Sequence, residues 1–320
     1  MKTVPNLRKL AAYDAYTFLM KELEKIDDVI LEPLASTEWP RDMPVITGGG
    51  LVENVSTYDV TYASSGLDGE NNLLFENAND IPVVQADFNK LIARCFNWAE
   101  YMSFSLLERE KMKGIGRDPQ TFLDKGIRLH FDKSIDKSVY KGFTNVGSVG
   151  LVNSIVVTRS VAPNGAGGSS TWALKTADEI LKDINTIITG IWTANDCDHD
   201  ALPNHILIPP TQFGLLVTRK VSDDASVSIL EYVLKNNISA QQGVDLTIEP
   251  CKWCTQAGTG NKDRMVAYMN RVDRICFNLT QPLTRMDPEN YNMQVKIPYI
   301  GQFSEVRFLY PTTVRYLDGI

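Results

Sequence analysis

Histidine and cysteine are scarce in this chain, with three of the first and five of the second among 320 residues. Only His130, His199 and His205 could act as imidazole bases, and no Gly-x-Ser-x-Gly turn exposes a serine, so nucleophilic catalysis finds little support. A basic excess is also missing. Lys and Arg number 32 against 39 Asp and Glu, a net charge of −7, which excludes a protein steered onto duplex nucleic acid as its main business. No window offers the roughly 18 consecutive apolar residues of a membrane span. The start, MKTVPNLRKLAAYDAYTFLMKELEKI, lacks the continuous apolar region of a signal peptide. The chain is therefore expected to be made and kept in a cytoplasm, with its cysteines reduced. Internal repeats and low-complexity tracts are absent too.

What is present is ordinary globular usage, 43% hydrophobic and 22% charged, in a chain long enough for two or three folding units. Residues 1–44 read as an arm. Tyr13, Tyr16, Leu19, Met20 and Leu23 recur at helical spacing, and LEPLASTEWPRDMP then sets three prolines in fourteen residues, which breaks any helix. Residues 45–85 read as a long hairpin. Tyr58, Val60 and Tyr62 alternate with a period of two, SSGLDGENN supplies turn chemistry, NLLF follows as a second apolar run, and Gly48, Gly49 and Gly50 mark the base. Such a hairpin has no apolar partner in the sequence around it and is expected to lean on something else.

In ADFNKLIARCFNWAEYMSFSLLEREKMKG, apolar residues at Phe88, Leu91, Ile92, Cys95, Phe96, Ala99, Met102 and Leu106 predict a helix buried along one face and stopped by Gly114 and Gly116. A second helix is predicted from the Asp118 cap and Pro119 to about Gly142, with Phe122, Leu129, Ile135 and Val139 inward and Lys133, Lys137 and Lys141 along another side. SIVVTRSV reads as a strand, VAPNGAGGSS as a flexible loop, and TADEILKDINTIITGIWTAND as a helix whose Thr176 and Glu179 have capping-box spacing. HILIPP, a helical QFGLLVTR and SVSILEYVLKNN complete an α/β unit. DLTIEP, MVAYMN, RICFNL, MQVKIP and SEVRFLY then predict strands with little helix between them.

Three stretches could carry chemistry. YKGFTNVGSVGLVN holds Gly142, Gly147 and Gly150, yet it lacks the Gly-Lys-Ser/Thr ending of a phosphate loop and runs from helix to strand, the reverse of the required order. A structural turn is the expectation. Cys251-Lys252-Trp253-Cys254 is a lone CxxC without the second ligand pair of a structural zinc site; buried or incidental thiols compete with metal or redox use. Asp196-Cys-Asp-His-Asp200, with His205 beyond it, has the donors of a cation site and equally the composition of a solvated loop. No catalytic, cofactor-binding or metal-ligating residue is assigned.

The order of these elements resembles the major capsid proteins of tailed bacteriophages with the Hong Kong 97-like fold. The residues that carry the resemblance are ENANDIPVVQADFNK, the helices through Tyr140, the glycine stretch ending in GLVN, HILIPPTQFGLL and the closing FLYPTTVRYLDGI, in order from about Val45 to Ile320. The resemblance implies an α+β fold with an N-terminal arm (1–44), an extended β-hairpin loop (45–85), a peripheral domain with long spine helices (86–158), an axial α/β domain (159–285) and C-terminal strands (286–320) returning to these sheets. It implies a non-enzymatic shell protein that self-assembles as pentamers and hexamers around double-stranded DNA held by confinement. The place would be the virion, assembled in the host cytoplasm, with portal, scaffold or decoration proteins as candidate further partners and no membrane. Tyr58, Val60, Tyr62, Leu67, Asp68 and Glu70 would touch neighbouring subunits, and Gly48, Gly49, Gly50, Gly142, Gly147 and Gly150 would be hinges. A bacterial nanocompartment shell and an oligomeric metal- or thiol-dependent enzyme using the CxxC stand as alternatives.

Overall fold

The computed structural model describes residues 36–64, 83–113, 119–222 and 226–320. Most of the expected arm lies outside these, as do Leu67, Asp68, Glu70, the NLLF run, Gly114, Gly116 and Asp118. The described end of the arm differs from expectation. Trp39–Asp42 forms a short helix, α1, because Pro40 falls in its first turn, where a missing N–H breaks no bond. Asp42 and Met43 are buried in this chain's own core rather than laid outward.

After α1, β1 (Val45–Thr47) runs parallel to β8 (Ile275–Leu279), which β12 (Arg307–Phe308) flanks on its other side. The hairpin is β2 (Asn54–Ser64) against β3 (Val84–Ser105), antiparallel from Asn54↔Arg94 to Ser64↔Val84. This corrects the helix predicted over residues 86–114. That segment is a 22-residue strand through Ser105, followed by helix α2 (Leu106–Lys113). Phe88, Ile92 and Phe96 are four apart, a step that fits both one helix face and one strand face. The deciding sign is the step of two from Phe96 to Trp98 and from Met102 to Phe104, where Met102 and Phe104 are buried. The inner half of β3 pairs along its length with β11 (Gln294–Ser304), which also carries β9 (Gln281–Arg285) and β10 (Glu289–Tyr291). A strand this long is thus supported by one neighbour at its tip and another at its base.

A single long helix, α3 (Pro119–Tyr140), therefore stands where two were expected. Its buried line is Ile127, Phe131, Ile135 and Val139; Phe122 is exposed and Leu129 half-buried, so the predicted inward side holds only at its C-terminal end. Lys133, Lys137 and Lys141 are exposed. Phe131, Ile135 and Val139 meet Phe277, Phe303, Tyr268 and Tyr316 in one apolar cluster.

The α/β layer follows prediction closely. Its sheet has the order β4 (Thr158–Val161), β13 (Val314–Asp318), β7 (Arg264–Tyr268), β5 (His205–Ile208), β6 (Thr247–Pro250). Helix α4 (Ala177–Ala194) starts at Thr176 with the reciprocal Thr176–Glu179 capping box in place. Ile180, Ile184, Ile187, Ile188 and Ile191 are at most 1% exposed and pack on Ile206, Ile208 and Leu317. Helices α5 (Pro210–Thr218), α6 (Ile229–Asn236) and α7 (Ile238–Gln241) complete the layer. The closing strand β13 and the short β9 and β10 were not read from the sequence. Among the described residues no helix is long and apolar enough to cross a membrane.

Candidate assembly interface

The outer hairpin shows its apolar side chains to solvent. Tyr58 is 65% exposed and Tyr62 78% on β2, and on β3 Phe88, opposite half-buried Val60, is 66% exposed and Ile92, opposite Ser56, 58%. A two-stranded ribbon cannot cover either of its own faces, so this surface stays open until something else covers it. Sequence reasoning placed Tyr58, Val60 and Tyr62 here and missed Phe88, Leu91 and Ile92, which it assigned to a helix interior.

At the ribbon's base, Gly48, Gly49 and Gly50 have φ of 103°, 115° and 72°, a region closed to most side chains, with open space around each. Two of their amides are nevertheless tied, Gly48 donating to Leu279 O at 3.0 Å and Gly50 to Thr280 O at 3.2 Å. The turn after α3 is built differently. Gly142 has φ of 67° and a Cβ there would stand 2.5 Å from Ser148 O, while a Cβ on Gly150 would overlap the Tyr140 carbonyl group. Leu151 and Val152 donate back to Val139 O and Tyr140 O at 2.7 and 3.0 Å, so the chain folds over the helix end as a packed knot. Gly147 caps the small turn between them with open space around it.

A buried polar cluster fastens α1 beside this knot. Asp42 accepts from Arg41 Nε at 2.6 Å and from the Tyr140 hydroxyl, its carbonyl accepts from the Tyr268 hydroxyl at 2.5 Å, and His205 Nε2 lies 3.2 Å from Oδ1. Burial pushes the Asp42 carboxyl up, but the bonds from His205, Arg41 and Tyr140 outweigh it and hold the group below the usual carboxylate range. In the α/β layer, Arg264 grips Asp318 through Nε and Nη2 at 2.6 and 2.8 Å, both side chains buried. No sequence motif marks either cluster; apart from the adjacent Arg41 and Asp42, the bonded partners lie 54 to 226 residues apart.

The two motifs with possible chemistry are packed into structure. Cys251 and Cys254 form no disulfide and are buried, and burial pushes the Cys254 thiol well up. Trp253 between them donates to Asp136 Oδ2 at 2.9 Å. In the acidic loop, Asp198 accepts from the Asp200 amide, Asp200 pairs with Arg271 at 3.3 Å, and His199 Nε2 lies 2.9 Å from Gln242 O. His205 is spent on Asp42 and on Thr247 Oγ1 at 2.7 Å, and His130 Nδ1 lies 3.2 Å from a Glu100 oxygen on an exposed surface. Among the described residues no group of three or more His, Cys, Asp or Glu is arranged to hold a metal ion.

The family model for major capsid proteins matches residues 69–320. The chain belongs to the major capsid protein family. It is a phage capsid shell protein, and the family is a structural one. Its α+β fold, with extended hairpin, long spine helix and α/β layer, is the Hong Kong 97-like capsid fold, as solved structures bear out. The capsid protein of Myoviridae phage XM1 superposes with a TM-score of 0.78 at 14% identity, covering 94% of this chain and 98% of that one. The capsid of a native GTA particle gives 0.62 at 10% identity over 92% and 94%. Microbacterium phage Oxtober96 gives 0.59 at 11% identity over 94% and 98%. Comparison with curated proteins finds no match. The family assignment does not favour the nanocompartment alternative.

Proposed function

We propose that this capsid protein closes into an icosahedral shell of five- and six-membered rings around the double-stranded DNA of a tailed phage. The observation that carries the reading is the exported ribbon: Tyr58, Tyr62, Phe88 and Ile92 offer apolar area that the subunit leaves uncovered. Burying that area in a neighbour is worth about 1.5–3 kcal/mol per fully covered large side chain, and a closed shell repeats the contact at every subunit. Tyr58, Val60 and Tyr62 lie on the neighbour, with Leu67, Asp68 and Glu70 carrying the contact to the tip. In this reading residues 86–158 form the peripheral domain around α3, residues 159–285 form the axial domain that meets its copies around the ring, and residues 286–320 bind the two together.

The glycines divide by role. Gly48, Gly49 and Gly50, with open surroundings and left-handed φ, are the hinge on which the ribbon adjusts to unlike symmetry positions. Gly142 and Gly150 serve close packing, so the knot after α3 acts as a lock. The acidic balance of −7 suits DNA held by confinement, with no tight phosphate grip. The shell resides in the virion, is assembled in the host cytoplasm, and works with portal, scaffold or decoration proteins without catalysing a reaction.

Light scattering and negative-stain microscopy on the purified chain test this across protein and salt concentration. Rings of five or six, or closed shells, are the expected result. A monomer or small dimer under every condition sinks the reading and returns attention to the thiol pair.

A further inference from the structure

The sheet of the α/β layer has two unlike edges. At β6 the edge is closed: Pro250 has no N–H to offer, and the Arg41 guanidinium sits on it, donating to Glu249 Oε2 at 3.0 Å and to Pro250 O at 3.1 Å. At β4 the edge is open, with β13 as its one strand partner among the described residues. Ala162 donates to Asp318 O on β13 at 2.9 Å, so alternation along the strand turns the backbone groups of Arg159 and Val161 outward. Val161 is 67% exposed.

Beside that open edge runs a groove of about 730 Å³ between β4 and α4. Arg315 reaches into it from β13, its Nε donating to Ser160 Oγ at 3.3 Å and its guanidinium lying against Gly190, where no side chain intervenes. Among the described residues the terminal nitrogens of Arg315 meet no carboxylate or carbonyl. Lys182 adds a second, exposed cation. Of the carboxylates nearby, buried Asp183 pairs with Lys175 at 2.5 Å, whereas exposed Asp178 accepts from the neutral Tyr232 hydroxyl at 2.8 Å. The groove thus sets two cations, Arg315 and Lys182, against one exposed carboxylate, Asp178, alongside an unpaired strand.

We infer that the β4 edge and the Arg315 groove receive an extended, acidic segment of a second copy of this chain within a ring. The inference rests on the shell reading above. Strand addition supplies backbone hydrogen bonds, and a carboxylate meets the forked donors of Arg315. The acidic excess of the chain, net charge −7, makes acidic segments of a second copy available to Arg315 and Lys182. With β6 closed, the opposite edge cannot serve as donor, so the incoming segment comes from another part of the neighbour. A contact between two different patches is head-to-tail, the kind that closes rings.

Two substitutions test this. Val161→Pro removes one outward N–H and leaves the ladder to β13 intact, and Arg315→Glu reverses the charge of the groove; Val161→Thr and Arg315→Lys are their controls. Thermal melting of each variant checks that it folds. Assembly is read by light scattering and microscopy, and a photo-cross-linker at position 161 identifies the partner segment by mass spectrometry. The expected result is a threshold concentration for rings raised at least about tenfold in Val161→Pro and Arg315→Glu, near-normal thresholds in the controls, and a cross-link to an acidic segment of another copy. Unchanged assembly in both variants, or a cross-link only within one subunit or to a different protein, overturns the inference and leaves the shell reading standing. Failure of the unaltered chain to form rings overturns the shell reading and this inference with it.

Discussion

The hairpin and the α/β layer are both rich in large apolar residues, and the two regions put them to opposite use. Along α4, Ile180, Ile184, Ile187, Ile188 and Ile191 are sealed against Ile206, Ile208 and Leu317 of the same chain. Along the ribbon, Tyr58, Tyr62, Phe88 and Ile92 are each more than half exposed. The difference is one of layers. A helix lying on a five-stranded sheet has a face to bury against, whereas two strands extended beyond their sheet have none. An apolar pattern therefore states that area will be covered and leaves open which chain covers it.

The largest break in this comparison comes from the self-sufficient side. Asp318→Ala leaves the Arg264 guanidinium buried without its partner and is expected to cost about 3–5 kcal/mol in denaturant unfolding of the unassembled chain. Next, Gly150→Ala forces a methyl group onto the Tyr140 carbonyl and is expected to cost about 1–3 kcal/mol by the same measurement. Thr176→Ala removes the cap of α4 and should lower stability by about 1 kcal/mol. At the other end, the double change Tyr62→Ser and Phe88→Ser should move subunit stability by no more than about 0.5 kcal/mol and yet suppress shell formation in light scattering. A large loss of subunit stability there would mean that the ribbon is part of the fold and not its export.

Acid sharpens the same contrast. Asp42 and Asp318 are each raised by burial and lowered further by their donors, so their folded values lie below the ordinary 3.8. The sign follows from that direction: the stability they contribute is complete above 3.8 and is lost as pH falls through their lower folded values. Asp183, which burial raises despite Lys175, works in the opposite sense, and its contribution fades as pH rises from 3.8 through its folded value. Melting temperature followed from pH 6 down to about pH 2 should fall in the unaltered chain, and Asp42→Asn should flatten part of that fall. Among the described residues no carboxylate on the outer ribbon shares these partners, so exposure of its apolar faces should be insensitive to the same titration.

Legibility of the sequence followed the range of the forces involved. The α4 cap, its isoleucine stripe, the HILI strand and the turn glycines after α3 are set by residues a few positions apart, and each was readable. Phe88, Ile92 and Phe96 were misassigned because a four-residue step belongs to both periods, and the pairing of β3 with β2 at its tip and β11 at its base is what selects the strand. The Asp42 cluster carried no local sign at all. Its donors Tyr140, His205 and Tyr268 are ordinary residues until folding brings them to one carboxylate.

By itself the sequence determined the apolar alternation of the hairpin's first strand, the α4 stripe, the acidic balance and the turn glycines after α3, because backbone sterics and hydrophobic periodicity act over short spans. Only the tertiary structure decided that α1 is clasped into the body, that residues 84–105 are the hairpin's second strand and not a helix, and that one edge of the α/β sheet is closed while the other stands open beside Arg315. Those outcomes depend on which distant groups meet, and a buried charge or an unpaired edge acquires its energy only from that meeting.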